Sequence, residues 1–216
     1  MKIRNLYLVR HGQSIYNLEN RFTGWKDIGL TELGENQARE AGQILANVSF
    51  DYCYISNLKR AQNTLEFILN EINQSPKIEN NIALNERDYG DLIGQNKAEA
   101  AKEFGAEQVQ IWRRSFDVPP PGGESLKMTA ERTLPFYRDT ILPKVLNSNN
   151  VIISAHGNSI RAIVMEIFNL TPSQILKTEI GWCEPWKITY NEDGTLGDYS
   201  IIARPSEPSN SHLYLK

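Results

Sequence analysis

Two short apolar runs in this chain end in the same way. Leu6-Tyr7-Leu8-Val9 runs into Arg10-His11-Gly12, and Val151-Ile152-Ile153-Ser154-Ala155 runs into His156-Gly157. A short apolar run closed by glycine reads as a strand buried inside a sheet. Ligands of open α/β sheets bind outside the carboxyl ends of the strands. The chain has only three histidines, His11, His156 and His212. Two of the three therefore stand where such a sheet would place its chemistry.

The rest of the pattern supplies the sheet and its covering helices. Ile3 to Val9 is the first strand. Leu33, Ala38, Ala41, Ile44, Leu45 and Val48 fall at helical spacing, with Thr31 as the expected cap. Phe50 to Ile55 reads as a second strand, followed by one apolar helical face from Leu58 to Ile72. Lys77 to Leu84 is weakly strand-like. The stretch 85–124 is polar and irregular, with short helices near Lys97 to Phe104 and Glu107 to Trp112, and a turn at the Pro-Pro-Pro-Gly-Gly run 119–123. It reads as an insertion over the sheet edge. A helix from Ser125 to Val145 carries Pro135 inside it and should kink there. After the strand Asn150 to Ala155 comes a helix through Ile160 and Phe168, then two strands, Lys187 to Tyr190 and Asp198 to Ala203, joined at Glu192-Asp193-Gly194. Alternating strands and helices predict an α/β fold with a mostly parallel central sheet. The 216 residues read as one domain, 1–216, with a Pro- and Ser-rich tail expected to be mobile from about 204.

Charge and cysteine content exclude several classes. A net charge of −3 argues against nucleic-acid binding and against a membrane surface. Cys53 and Cys183 lie far apart, so neither a disulfide framework nor a cysteine metal site is expected, and both thiols read as inert. The amino-terminal apolar run is too short for a signal peptide or a membrane span, and the expected compartment is the cytoplasm.

The residues at the strand ends are suited to anion chemistry. Imidazole is largely neutral near neutral pH, and the flanking Arg10 favours that nucleophilic form of His11. Gly12 is expected to let backbone N–H groups approach a phosphate. Arg60 begins a helix, where a cation opposes the helix dipole, and a bound anion would relieve that conflict. Arg10 and Arg60 would repel a divalent cation, so no metal is expected between the histidines. No Walker-type loop is present. His212 in the tail reads as a solvated side chain, and Trp25, Trp112, Trp182 and Trp186 read as packing or rim residues.

Five blocks in order carry a resemblance: LVRHGQSIYNLENRFTGW (8–25), SNLKRAQNT (56–64), LNERDYGDLIGQNKAE (84–99), QIWRRSFDVPPP (110–121) and ISAHGNSIRA (153–162). Together they resemble the cofactor-dependent phosphoglycerate mutases of the histidine phosphatase superfamily. The resemblance implies a three-layer α/β/α, phosphoglycerate mutase-like fold. It implies that His11 is the phosphorylated nucleophile, that Arg10, Arg60 and His156 surround the transferring phosphoryl group, and that Glu86 is the general acid/base. It places Asn17, Thr23 and Gly24 at the phosphate and substrate site, and Tyr89, Lys97, Arg113 and Arg114 at the far anionic group, with Gly157 and Asn158 in the matching His-Gly-Asn block. The implied activity interconverts 3-phosphoglycerate and 2-phosphoglycerate, in glycolysis and gluconeogenesis, with 2,3-bisphosphoglycerate as primer and no metal.

Residue chemistry agrees with those roles. A phosphoryl group carries about −1.5 to −2 charges. Arg10, Arg60, Lys97, Arg113, Arg114 and a protonated His156 form a basic cleft in an acidic chain, with arginine favoured for bidentate oxyanion contacts. Two departures stand out. The turn Pro-Pro-Pro-Gly-Gly-Glu is short, which leaves a homo-oligomer open, and Gly181-Trp182-Cys183-Glu184-Pro185-Trp186-Lys187-Ile188 replaces a Thr-Gly-x-Pro stretch. The alternatives are a phosphatase of the same superfamily acting on small phosphomonoesters and a binding module without catalysis. The resemblance also implies that the tail from Arg204 folds over the cleft.

Overall fold

The computed structural model describes residues 4–148 and 150–216, so Ile3 of the first predicted strand lies outside the described residues. In chain order the elements are β1 (Asn5–Arg10), α1 (Ile15–Leu18), α2 (Glu32–Ile44), β2 (Tyr52–Ile55), α3 (Lys59–Glu71), β3 (Lys77–Asn80), α4 (Lys97–Phe104) and α5 (Ala106–Arg114), then α6 (Leu126–Phe136), α7 (Leu142–Asn147), β4 (Asn150–Ala155), α8 (Gly157–Ile167), α9 (Pro172–Lys177), β5 (Trp186–Tyr190) and β6 (Leu196–Ile201). The strands form one sheet in the order β3-β2-β4-β1-β5-β6. Neighbours from β3 to β1 pair in parallel. β5 pairs antiparallel with both β1 and β6, and among the described residues it alone runs against the others.

Alternation along the central strands builds two cores. Leu6 and Leu8 of β1 and Val151 and Ile153 of β4 enter a cluster with Ile141, Val145, Ile160 and Ile163, below α6 to α8. Tyr7, Val9 and Ile152 point to the opposite face and pack on Ala38, Ala41, Leu45, Leu65 and Ile68 of α2 and α3. Period-two alternation on strands buried on both faces gives the three layers. Thr31 caps α2 as expected, its side chain accepting from the Gly34 N–H. The interruption expected at Pro135 takes the form of a π-helical turn over Tyr137–Ile141, directly after the residue that lacks an N–H.

The segment 85–124 holds α4 and α5 around a small apolar cluster of Phe22, Leu92, Ala100 and Val109. It reaches the carboxyl ends of the central strands, where Glu86 accepts from the Asn158 N–H at 3.1 Å. The carboxyl-terminal residues have defined partners, where composition alone implied a mobile segment. Arg204 is buried and pairs with Glu40 at 3.2 Å and Glu207 at 2.6 Å, and its Nε donates to the Trp182 carbonyl. Glu184, fully buried, accepts from Ser209 Oγ and from the N–H groups of Asn210 and Ser211. No helix among the described residues is long and apolar enough to cross a membrane.

Close backbone approach, not φ, demands glycine where α2 meets the loop after β1. A Cβ on Gly34 would strike the Gln13 carbonyl oxygen, and one on Gly12 would strike the Gly34 carbonyl. Alanine for glycine in a helix ordinarily stabilises by about 0.5–1 kcal/mol. Gly34→Ala should reverse that sign and lower stability by about 1–3 kcal/mol through overpacking. Urea unfolding followed by circular dichroism checks it, and a raised midpoint would refute the packing argument.

Candidate active site

The two strand-end histidines meet because of register. Arg10 of β1 is the direct partner of Ala155 of β4, and the His11 N–H donates to the Ala155 carbonyl at 3.0 Å. The next residues on each strand are His11 and His156, whose ring centroids lie 5.0 Å apart. Both are buried.

The tautomer of His11 follows from its partners. Nδ1 lies 2.7 Å from the Gly12 carbonyl, an acceptor, so Nδ1 carries the proton. Nε2 then holds a lone pair, and Arg60 Nε donates toward it at 3.3 Å. Burial, then Arg60 and Arg10, hold the His11 pKa well below its ordinary value. The result is a neutral imidazole with a nucleophilic nitrogen facing cations. His156 is also held neutral, by burial and then by Arg60. The protonated His156 expected from sequence is therefore corrected: it acts as a hydrogen-bonding group and not as a cation. Its Nε2 is 2.7 Å from Ser56 Oγ, while its buried Nδ1 has no partner.

Carbonyl groups, not carboxylates, orient the two central arginines. Arg60 is buried in the first turn of α3 and donates to the Lys26 and Gly24 carbonyls at 3.1 and 2.8 Å. Gly24 can present its carbonyl this way because its φ is +49°, a conformation costly for other residues. Arg10 Nη1 donates to the Ile180 carbonyl at 2.8 Å, and its guanidinium lies 5.5 Å from the centre of the Trp182 ring. Its buried Nε is unpartnered. Arg10 Nε and His156 Nδ1 are thus buried polar atoms left without a partner, on the two residues that flank His11 in the chain and across the strand pair. The Gly12 N–H is not available for this purpose, because it donates to Thr64 Oγ1 at 3.1 Å.

Two contiguous cavities open from this centre. The smaller, about 50 Å³, is lined by His11, Thr23, Gly24 and Arg60, and the larger, about 180 Å³, by Arg10, Arg113, Arg114, Gly157 and Asn158. Glu86, Tyr89 and Lys97 line both and form their junction. Glu86 is held through one carboxylate oxygen and through its main-chain carbonyl. Its Oε1 accepts from the Arg87 and Asn158 N–H groups, and its carbonyl accepts from Trp25 Nε1 at 2.6 Å and from Arg132 at 2.8 Å. Lys97 is pushed down to about 8 by burial and by Arg113, Arg10 and Arg114. Its neighbourhood holds more positive than negative charge.

Of the sequence-predicted residues, Asn17 and the fully buried His156 line neither cavity, His156 lying behind His11 with its ring 5.0 Å away. Asn17 Oδ1 accepts from the N–H and Oγ of Ser14, closing a capping box at α1. Sequence reading missed Arg161 and Glu179, which complete the wall of the larger cavity. Arg161 sits one turn past His156-Gly157 inside a quoted block, a signal that was present. Glu179 had no local signal, because its place depends on the loop after α9.

Comparison with known proteins agrees with this geometry. A family model described as the histidine phosphatase superfamily (branch 1) matches residues 6–198. A protein of Rhodopseudomonas palustris named 2,3-bisphosphoglycerate-dependent phosphoglycerate mutase is 54% identical over 206 residues, 94% of this chain and 100% of that one. A protein of the same name from Brucella anthropi is 52% identical over 202 residues, 92% and 98% of the two chains. Among solved structures, the alpha-ribazole phosphatase from Shigella flexneri superimposes with a TM-score of 0.81 at 23% identity, over 95% of this chain and 100% of that one. A mycobacterial glucosyl-3-phosphoglycerate phosphatase does so at 0.78 and 24%, over 92% and 97%. These last two share the fold. The histidine pair at the carboxyl ends of β1 and β4 lies within the matched span, and the chain belongs to branch 1 of the histidine phosphatase superfamily.

Proposed function

We propose that this chain is a 2,3-bisphosphoglycerate-dependent phosphoglycerate mutase, a cytoplasmic enzyme of glycolysis and gluconeogenesis that interconverts 3-phosphoglycerate and 2-phosphoglycerate. The observation that carries the reading is the His11 Nε2 lone pair, fixed by the Nδ1–H bond to Gly12 and met by Arg60 Nε, with Arg10 Nε and His156 Nδ1 left as unpartnered buried groups nearby in the fold. Relatives of that name at 52–54% identity support it.

His11 Nε2 attacks the phosphorus of a bound 2,3-bisphosphoglycerate, and the ester P–O bond breaks as the N–P bond forms. The departing alkoxide takes a proton from Glu86, leaving a monophosphoglycerate and phosphorylated His11. In the reverse sense Glu86 removes the proton from the acceptor hydroxyl, which attacks phosphorus and frees His11. Arg10 and Arg60 balance charge on the equatorial oxygens, and His156 donates through Nδ1 while its Nε2 accepts from Ser56. Phosphoryl transfer of this kind depends mainly on positioning and charge stabilisation. The larger cavity holds the substrate's remaining anionic groups on Lys97, Arg113 and Arg114. Exchange of the two phosphates at His11 moves the phosphate from one carbon to the next.

His11→Ala should carry no acid-labile phosphate after incubation with 2,3-bisphosphoglycerate and should show no mutase turnover in an enolase-coupled assay. Full turnover in that variant would overturn the reading, and so would wild-type hydrolysis of generic monoesters faster than mutase turnover.

Glu86→Gln should cut mutase turnover by about 10²–10⁴-fold. The burst of nitrophenolate from p-nitrophenyl phosphate should fall far less, because that leaving group needs no proton. An equal loss in both would make Glu86 a positioning group.

Lys97 supplies a pH signature. A bound anion favours its ammonium, so affinity is highest below about 8 and declines as the free lysine loses its proton above that pH. The KM for 3-phosphoglycerate should rise between roughly pH 8 and 9. Lys97→Met should raise KM at neutral pH and flatten the rise.

A further inference from the structure

The larger cavity contains an anion of its own. Glu179 Oε1 is 2.8 Å from Arg114 Nη1, and Oε2 is 2.6 Å from Arg161 Nη2. One carboxylate thus spans two guanidinium groups in the wall of a cavity that also gathers Arg10, Lys97 and Arg113, with Glu86 at its junction with the smaller cavity. Its position is built. The Glu179 N–H donates to the His212 carbonyl and the His212 N–H donates back, each at 3.0 Å. Arg161 is held beside it by a bond from Nε to the Thr178 carbonyl at 3.0 Å. Burial alone would raise the Glu179 carboxyl, but Arg161, Arg114 and Arg10 together hold it below its ordinary value, so it stays charged.

We propose that Glu179 is the resident counter-anion of this cavity and a specificity-determining residue, which limits how tightly the cavity holds the non-reacting anionic groups of the substrate. The proposal rests on the mutase reading. In that reaction one bound molecule presents first one phosphate and then the other to His11. In either orientation the carboxylate and the other phosphate rest on the cavity's cations, and both must let go before the molecule can turn. A cavity of bare arginines would trap the more highly charged group. With Glu179 present, Arg114 and the less exposed Arg161 always retain a partner while the substrate's groups exchange. The carboxylate also competes with the incoming anion, which weakens binding and speeds release.

Glu179→Gln removes the charge and keeps the side chain's shape. At low salt it should tighten 3-phosphoglycerate binding by roughly tenfold, the order expected for deleting one like charge a few ångströms away. Inorganic phosphate, which needs only the His11 end, should gain less. The kcat for mutase turnover should fall as release slows. Titration calorimetry on the full chain reads the affinities, and circular dichroism verifies the fold. Glu179→Asp keeps the charge and should not reproduce the gain. Glu166→Gln removes the same charge from the distant pair with Arg138 and should match wild type. If Glu179→Gln and Glu179→Asp both bind 3-phosphoglycerate more weakly, Glu179 merely braces the arginines and the proposal falls. That outcome leaves the mutase reading standing as long as wild type shows bisphosphoglycerate-dependent turnover. Absence of that turnover in wild type would overturn both.

Discussion

The parallel pairing of β1 with β4 is the constraint on which the site depends. With Asn5 opposite Asn150 and Arg10 opposite Ala155, the two strands end together, and the residues that follow are both histidines. A shift of one residue would move every side chain of β1 to the other face and part the two rings. The register is enforced from both sides of the sheet. Leu6 and Leu8 are committed to one core and Tyr7 and Val9 to the other, so a slip would bury nothing correctly. Hydrophobic packing over the whole sheet therefore fixes the distance between two catalytic candidates that no direct bond connects.

Positive charge is held at this point by an unusual choice of partners. Elsewhere arginines pair with carboxylates: Arg132 with Glu124, Arg138 with Glu166, and Arg204 with Glu40 and Glu207. At the centre, Arg60 and Arg10 are oriented by the carbonyl groups of Gly24, Lys26 and Ile180. A carbonyl fixes geometry through its dipole without a contact ion pair, and Glu86 compensates both cations only from a distance. The same charge lowers the affinity of His11 and His156 for protons. One arrangement thus gathers positive charge at the strand ends and keeps both imidazoles neutral, which explains how a chain of net charge −3 holds a basic cleft.

Much of this was legible in the sequence because it is local. Apolar runs, their spacing and the caps at Thr31 and Ser125 mark the elements, and each candidate residue that lines the cavities follows a strand end or belongs to a short block. What escaped depends on contacts distant in sequence. Gly12 resembles a phosphate-approach glycine, yet its N–H is taken by Thr64, 52 positions away, and its missing Cβ makes room for Gly34. Glu179 enters the cavity only because the loop after α9 returns to β1 and the chain end pairs with it. Composition also left the tail's contacts unseen, because serines and prolines do not reveal that a buried glutamate elsewhere accepts their hydrogen bonds.

That glutamate lies in the stretch where the sequence departs from its resemblance. Cys183 adopts a φ of +52°, its N–H donates to the Arg10 carbonyl at 2.9 Å, and the preceding Trp182 lies against the Arg10 guanidinium. The Trp182 carbonyl accepts from Arg204, and Glu184 gathers Ser209, Asn210 and Ser211. A buried carboxylate without a cation is stable only while its oxygens are fully hydrogen-bonded. Glu184 therefore requires the tail, and the tail in turn fixes the loop that supports Arg10. Residues 204–212 thereby reach the loop beside Arg10 without lining either cavity. The Trp-Cys-Glu sequence is thus best understood as the element that couples the end of the chain to the arginine beside His11.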